Sequence, residues 1–105
     1  MTARVRVLLY ATAPVDSPDA VEQAYHRIST ELAGTPGLLR NELLNGIDEP
    51  RSFVVLSEWA SEEAFFSWER GPDHRGATAP LRPFQDARPR KPFGVYRVTA
   101  DYPAA

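Results

Sequence analysis

His74 is the one side chain in this sequence that reads as a general base. An imidazole titrates near pH 6.5 when unperturbed, which suits it to taking a proton from carbon or oxygen near neutrality. The second imidazole, His26, lies between Tyr25 and Arg27 on the flank of a helical stripe and is expected in solvent. Asn41, Ser57, Trp59 and Tyr96 occupy alternating positions in strand-like segments whose other members are mostly aliphatic. Such polar-capable groups, once buried, either bond to neighbouring backbone or line a pocket that presents them to a ligand. A mainly apolar pocket with a few convergent polar groups takes a flat, hydrophobic, aromatic ligand. Tyr25 and Trp68, projecting from helices, are candidate walls. Glu62, Glu63 and Glu69 read as a solvated helix face, and Glu42 and Glu58 as partners for arginines across a subunit contact.

Composition narrows the chemistry further. The chain of 105 residues is one domain's worth, and 43% hydrophobic with 25% charged residues is a globular balance. A net charge of -2 with no lysine or arginine cluster argues against nucleic acid and anionic membranes as partners. There is no cysteine, so disulfides, thiolate nucleophiles and cysteine-based metal sites are excluded; two histidines do not make a three-histidine centre, and neither metal nor cofactor is expected. No apolar run approaches about 18 residues and no export signal follows Met1, which points to a cytoplasmic protein without a membrane span. Eleven arginines against one lysine is the bias that GC-rich codons produce.

These residues need a scaffold, and the periodicities supply one. Alternation over residues 4–11 predicts a strand. Ser17 is expected to cap a helix that has Pro18 in its first position and Asp19 on its dipole. Val21, Ala24, Tyr25, Ile28 and Leu32 form its single apolar stripe, and Gly34, Pro36 and Gly37 end it. Residues 38–45 and 52–59 read as a hairpin around the turn at 48–51. Ser61 opens a second helix that buries Ala64, Phe65 and Trp68. Asp73 is a cap for a further short helical stretch, broken by Pro80 and Pro83; residues 88–92 read as a loop and 93–100 as the last strand.

The order strand, helix, strand, strand, helix, strand is that of a ferredoxin-like α+β fold, a four-stranded antiparallel sheet with its helices on one face. Parity predicts Val5, Val7, Leu9, Ala11, Leu39, Asn41, Leu43, Phe53, Val55, Ser57, Trp59, Tyr96 and Val98 beneath the helices. The other face would mix Leu8, Leu38, Leu44, Val54, Leu56 and Val95 with Arg4, Arg6, Arg40, Glu42, Glu58 and Arg97. So many large apolar groups on an open face, with balanced charges, predict a homodimer joined sheet to sheet.

Three stretches carry a family resemblance. Pro36-Gly37-Leu38 opens a strand, Ser57-Glu58-Trp59-Ala60-Ser61-Glu62-Glu63-Ala64-Phe65 crosses from strand to helix, and Pro72-Asp73-His74-Arg75 leads into Leu81-Arg82-Pro83-Phe84. Over nearly its whole length the chain resembles the antibiotic biosynthesis monooxygenase family of dimeric α+β barrels, as a single domain spanning 1–105. The resemblance implies either oxidation of polyketide anthrones without metal or flavin, or haem degradation, or no activity at all. It matches Trp59 to a tryptophan that the anthrone oxidases place at the end of the third strand. Val55 and Phe65 stand where those enzymes carry asparagine and tyrosine. Trp68 matches the tryptophan that packs against haem in the haem-degrading members, but Thr78 occupies the position of their axial histidine.

For an oxygenase of this kind, His74, Trp59 and Asn41 are the expected catalytic residues, and Tyr25, Ser57, Trp68, Tyr96, Val55 and Phe65 the substrate-binding ones. Triplet dioxygen reacts usefully only with a substrate that donates an electron, as the carbanion of an anthrone or the phenolate of a hydroquinone does. His74 or a pocket water would promote deprotonation, a donor among Asn41, Ser57 and Tyr96 would hold the enolate oxygen, and Trp59 with Trp68 would exclude bulk water. An aromatic cyclase needs the same pocket and base without oxygen, and an accessory dimer that only binds a small molecule needs the pocket alone.

Overall fold

A computed structural model of the chain describes residues 3–72, 74–86 and 93–104. Four antiparallel strands, β1 (Val5–Thr12), β2 (Leu38–Asn45), β3 (Ser52–Trp59) and β4 (Phe93–Arg97), form a sheet in the order β2-β3-β1-β4. Helices α1 (Ala20–Leu32), α2 (Glu62–Arg70) and the five-residue α3 (His74–Thr78) join the strands, with a 3₁₀ turn (Ala79–Phe84) after α3. This is the expected ferredoxin-like arrangement. The residues expected to form a loop before β4, and the capping residue Asp73, lie outside the described residues.

Local chemistry explains the element ends. Helix α1 begins two residues later than the sequence suggested: Ser17 closes a turn through its carbonyl, which accepts from Ala20 N–H at 3.1 Å, and Asp19 is the cap residue. The Asp19 carboxylate accepts from Gln23 Nε2 instead of from a backbone amide. Gly34 and Gly37 both take the left-handed φ that a β-carbon penalises, turning the chain from α1 into β2. Ser61 caps α2 as expected, its Oγ accepting from Ala64 N–H at 3.1 Å. Strand β4 stops at Arg97; one more backbone bond, Val98 N–H to Arg4 O at 2.9 Å, follows it before the chain leaves the sheet.

Pairing register fixes which side chains face the helices. Val5, Val7, Leu9 and Ala11 of β1 oppose Trp59, Ser57, Val55 and Phe53 of β3, and Asn41 and Leu43 of β2 oppose Ser57 and Val55. Two parts of the parity reading are corrected. A bulge at Leu39 lets both Leu38 and Asn41 face the helices, so Leu38 packs beside Trp59 while Leu39 is 52% exposed. In β4 the face is reversed: Val95 opposes Val7 and Arg97 opposes Val5, whereas Tyr96 opposes Arg6 on the far face. Arg97 accordingly donates to the Glu62 carboxylate at the start of α2 and not to a far-face partner.

The core forms two clusters. Ala11, Val21, Ala24, Ile28, Phe53, Val55 and Leu81 pack between α1 and the sheet, and Val5, Trp59 and Phe65 pack under α2. On the far face, Glu58 is only 8% exposed and pairs within its own chain, with Arg6 Nε at 3.1 Å and Arg4 at 3.6 Å; Glu42 lies 3.5 Å from Arg40. Both glutamates expected to meet arginines across a dimer thus have arginine partners within the chain itself. No helix among the described residues is long and apolar enough to cross a membrane.

Candidate active site

Between the two core clusters the packing is incomplete. A cavity of about 150 Å³ is bounded by Val7, Leu9 and Val55 from the sheet floor, Ile28 and Leu32 from α1, Phe65 and Trp68 from α2, and Leu81 from the 3₁₀ turn. Asn41, Ser57, Trp59, His74 and Thr78 bring polar groups to the same walls. Arg82, Gln85 and Phe93 line it while exposed, and so mark its mouth. Pockets for drug-sized ligands run from about 300 Å³ upward, so a tricyclic ligand requires side chains at this mouth to move. A larger groove of about 560 Å³ lies outside, lined by Thr35, Pro36, Ser61 and Pro72. It is open to solvent and shares only Trp68 with the inner cavity, which collects the groups capable of chemistry.

Trp59 anchors the site from the end of β3. It is 1% exposed, its indole N–H donates to Ser57 Oγ at 2.9 Å, and its ring lies 5.5 Å from Phe65 and 5.2 Å from Trp68. The α2 stripe supplies the latter two because residues 65 and 68 are one turn apart on a helix. His74, first residue of α3, is half-buried and meets Trp68 edge to face. Asn41 projects from β2, where its Oδ1 accepts from the Tyr25 hydroxyl and from Ser29 Oγ at 3.3 Å.

Seven of the nine residues expected at the site, His74, Trp59, Asn41, Ser57, Trp68, Val55 and Phe65, line this one cavity. Tyr25 does not; it stands behind Asn41 and packs on the core. Tyr96 is on the opposite face of the sheet, 55% exposed, because of the reversed register of β4. Val55 and Phe65 are buried apolar walls, so the asparagine and tyrosine of the anthrone oxidases have no polar substitute at those two positions. His26 is exposed, as expected. Glu69, read as solvated, is half-buried and borders the cavity. Sequence reasoning missed Arg82, Gln85 and Phe93. The Phe93–Leu9 pairing places Phe93, and it becomes predictable once β4 is anchored to β1.

Sequence and fold together define the class: the chain belongs to the antibiotic biosynthesis monooxygenase family, whose model matches residues 4–79. Among curated proteins, it is 29% identical over 99 residues to Protein SchA of Streptomyces halstedii, covering 94% of this chain and 26% of that protein. It is 31% identical over 83 residues to the 42.8 kDa protein in the whiE locus of Streptomyces coelicolor, covering 75% of this chain and 20% of the relative. The chain therefore spans about a quarter or less of the length of these relatives. Its fold is similar to that of SnoaB, a cofactor-independent oxygenase from Streptomyces nogalater, with a TM-score of 0.75 and 21% identity over 99% of this chain and 98% of that one.

Proposed function

We propose that the protein is a cofactor-independent monooxygenase of the cytoplasm, acting as a homodimer on an aromatic, polyketide-like anthrone or hydroquinone. The observation that carries this reading is the apolar cavity holding Trp59, Trp68, Asn41, Ser57 and His74 on common walls. Family membership supports it.

On an anthrone the chemistry runs through the substrate's own electrons. His74 accepts the methylene proton, and the carbanion that forms delocalises its charge onto the carbonyl oxygen. One electron passes to dioxygen, the resulting radical pair combines to a peroxide anion at that carbon, and the His74 imidazolium returns its proton to give the hydroperoxide. Loss of water leaves a quinone carbonyl, so anthrone and one dioxygen become one anthraquinone and one water. Trp59 and Trp68 wall the reacting ring and keep bulk water from quenching the anion.

The test is anthrone supplied to the purified protein in an oxygen electrode with 18-oxygen gas. One dioxygen consumed per quinone, with one labelled atom in the new carbonyl, is the expected result. Turnover of an aromatic substrate without oxygen uptake would assign a cyclase or isomerase instead. A specific observation favours a third reading, a binding dimer without chemistry: the polar positions at Val55 and Phe65 are filled by core hydrocarbon. Tight ligand binding with no turnover would establish it.

A further inference from the structure

Asn41 and Ser57 oppose each other directly across β2 and β3, on the face beneath the helices, and both border the cavity. Opposed residues of an antiparallel pair have β-carbons about 5 Å apart, so two short side chains reach a single atom lying between them.

What each side chain presents is decided by its other neighbours. The Asn41 Oδ1 has two lone pairs and accepts from two hydroxyls, those of Tyr25 and Ser29. Its Nδ2 is left as a donor, and it bonds to no described residue. Among the described residues no fully enclosed side-chain nitrogen or oxygen lacks a partner, so this amide is open to solvent or to a ligand, and Asn41 is one of the residues that line the cavity. Ser57 Oγ accepts the indole N–H of Trp59. An indole nitrogen donates and never accepts, which commits the serine oxygen as acceptor in that bond and leaves its own O–H to give.

We infer that Asn41 and Ser57 form a two-donor cradle for an anionic oxygen, the phenolate or enolate of the bound aromatic ligand, with Tyr25, Ser29 and Trp59 as positioning residues that hold the two side chains in place. The inference rests on the proposal that this cavity is the ligand site. Two inward donors discriminate between protonation states of the same ligand. A phenolate oxygen receives both as charge-assisted hydrogen bonds, whereas a neutral phenol accepts them more weakly, or turns its own proton to the second lone pair of Ser57 Oγ and forgoes the serine's donation. Walls of Val7, Leu9, Val55 and Phe65 shield the cradle, which strengthens the bonds to the charged form. The phenol proton leaves to solvent in a binding equilibrium.

The experiment is a spectrophotometric titration of 2-hydroxyanthraquinone, yellow as the phenol and red as the phenolate, free and bound to the protein. Bound dye is expected to ionise at a pH lower than free dye by about one unit or more. Asn41→Asp, nearly isosteric, places a negative charge at the cradle and should move ionisation of the bound dye above that of the free dye. Ser57→Ala should remove part of the downward shift. Tyr25→Phe should also shrink the shift while leaving affinity for the neutral dye at low pH unchanged, a pattern that loss of packing alone would not give. Bound dye that titrates as in water, Asn41→Asp and Ser57→Ala proteins that titrate as wild type, or failure of the dye to bind would each overturn the cradle. Unshifted dye alongside normal anthrone oxidation refutes the cradle and leaves the oxygenase reading standing. A shifted dye with no oxygen uptake does the reverse.

Discussion

Trp68 and His74 meet edge to face, their ring centroids 4.6 Å apart and their planes at 86°. The contact ties the first residue of α3 to the stripe of α2 and holds the imidazole against the cavity wall. If His74 is the base, His74→Ala should lower turnover about 100-fold or more with little change in ligand affinity. Wild-type activity should rise with pH as the ring loses its proton, because the deprotonated ring is the active form. Ordinary activity in His74→Ala, with a pH profile that moves when the substrate is changed, would assign deprotonation to the substrate's own acidity.

The chain has two tryptophans, and they lie side by side. A flat phenol or quinone entering the cavity should quench their emission. Trp59→Phe and Trp68→Phe proteins should each retain part of the quench, measured by titration at fixed protein concentration. Quenching that is unchanged in both would place the ligand elsewhere.

The sheet face away from the helices exposes Leu44 and Tyr96 beside half-buried Leu8, Val54 and Leu56. With its charges largely paired within the chain, this face presents hydrocarbon, and the homodimer proposed above would bury it. Sedimentation should give twice the 11.7 kDa of one chain, and Leu56→Asp should weaken association by burying a carboxylate without a partner. A Leu56→Asp protein that dimerises like wild type would exclude this face.

Two glycines with nearly equal φ should respond differently to substitution. Gly34 at φ 83° has nothing within 4 Å of an added β-carbon, so Gly34→Ala should cost only left-handed strain, about 1–2 kcal/mol. Gly37 at φ 84° faces the Ala64 β-carbon, and Gly37→Ala adds overpacking of about 1–3 kcal/mol to the same strain. Urea melts of the two variants compare them directly, and equal midpoints would show that α2 moves aside freely.

Most of the scaffold was legible because its signals were redundant. The stripe of α1, Ser61 before Glu62 and Glu63, and the alternation of β1 and β3 each agree with their neighbours in the fold. Two strands defeated parity for a definite reason. In β4 both alternating sets contain apolar residues, Phe93 and Val95 against Tyr96 and Val98, so hydrophobicity could not choose; the choice falls to the β1 pairing and to Glu62, which takes Arg97. In β2, Leu38 and Leu39 look alike, and only the bulge tells them apart. The Tyr25–Asn41 bond, which moves Tyr25 from the wall to a supporting role, joins residues 16 apart and leaves no local trace in sequence.

The bulge at Leu39 has an evolutionary and practical side. Leu38 pairs with Trp59 and Arg40 with Glu58, so Leu39 is a supernumerary residue in an otherwise continuous ladder. A chain from which Leu39 is deleted would keep Leu38 in the core, Asn41 on the cavity and every later side chain on its present face. Position 39 is therefore a natural seam in the sheet, where the strand has room to lose a residue without scrambling its two faces. A shortened chain that folds and keeps its dye spectrum would mark this as the place where relatives can differ in length by one.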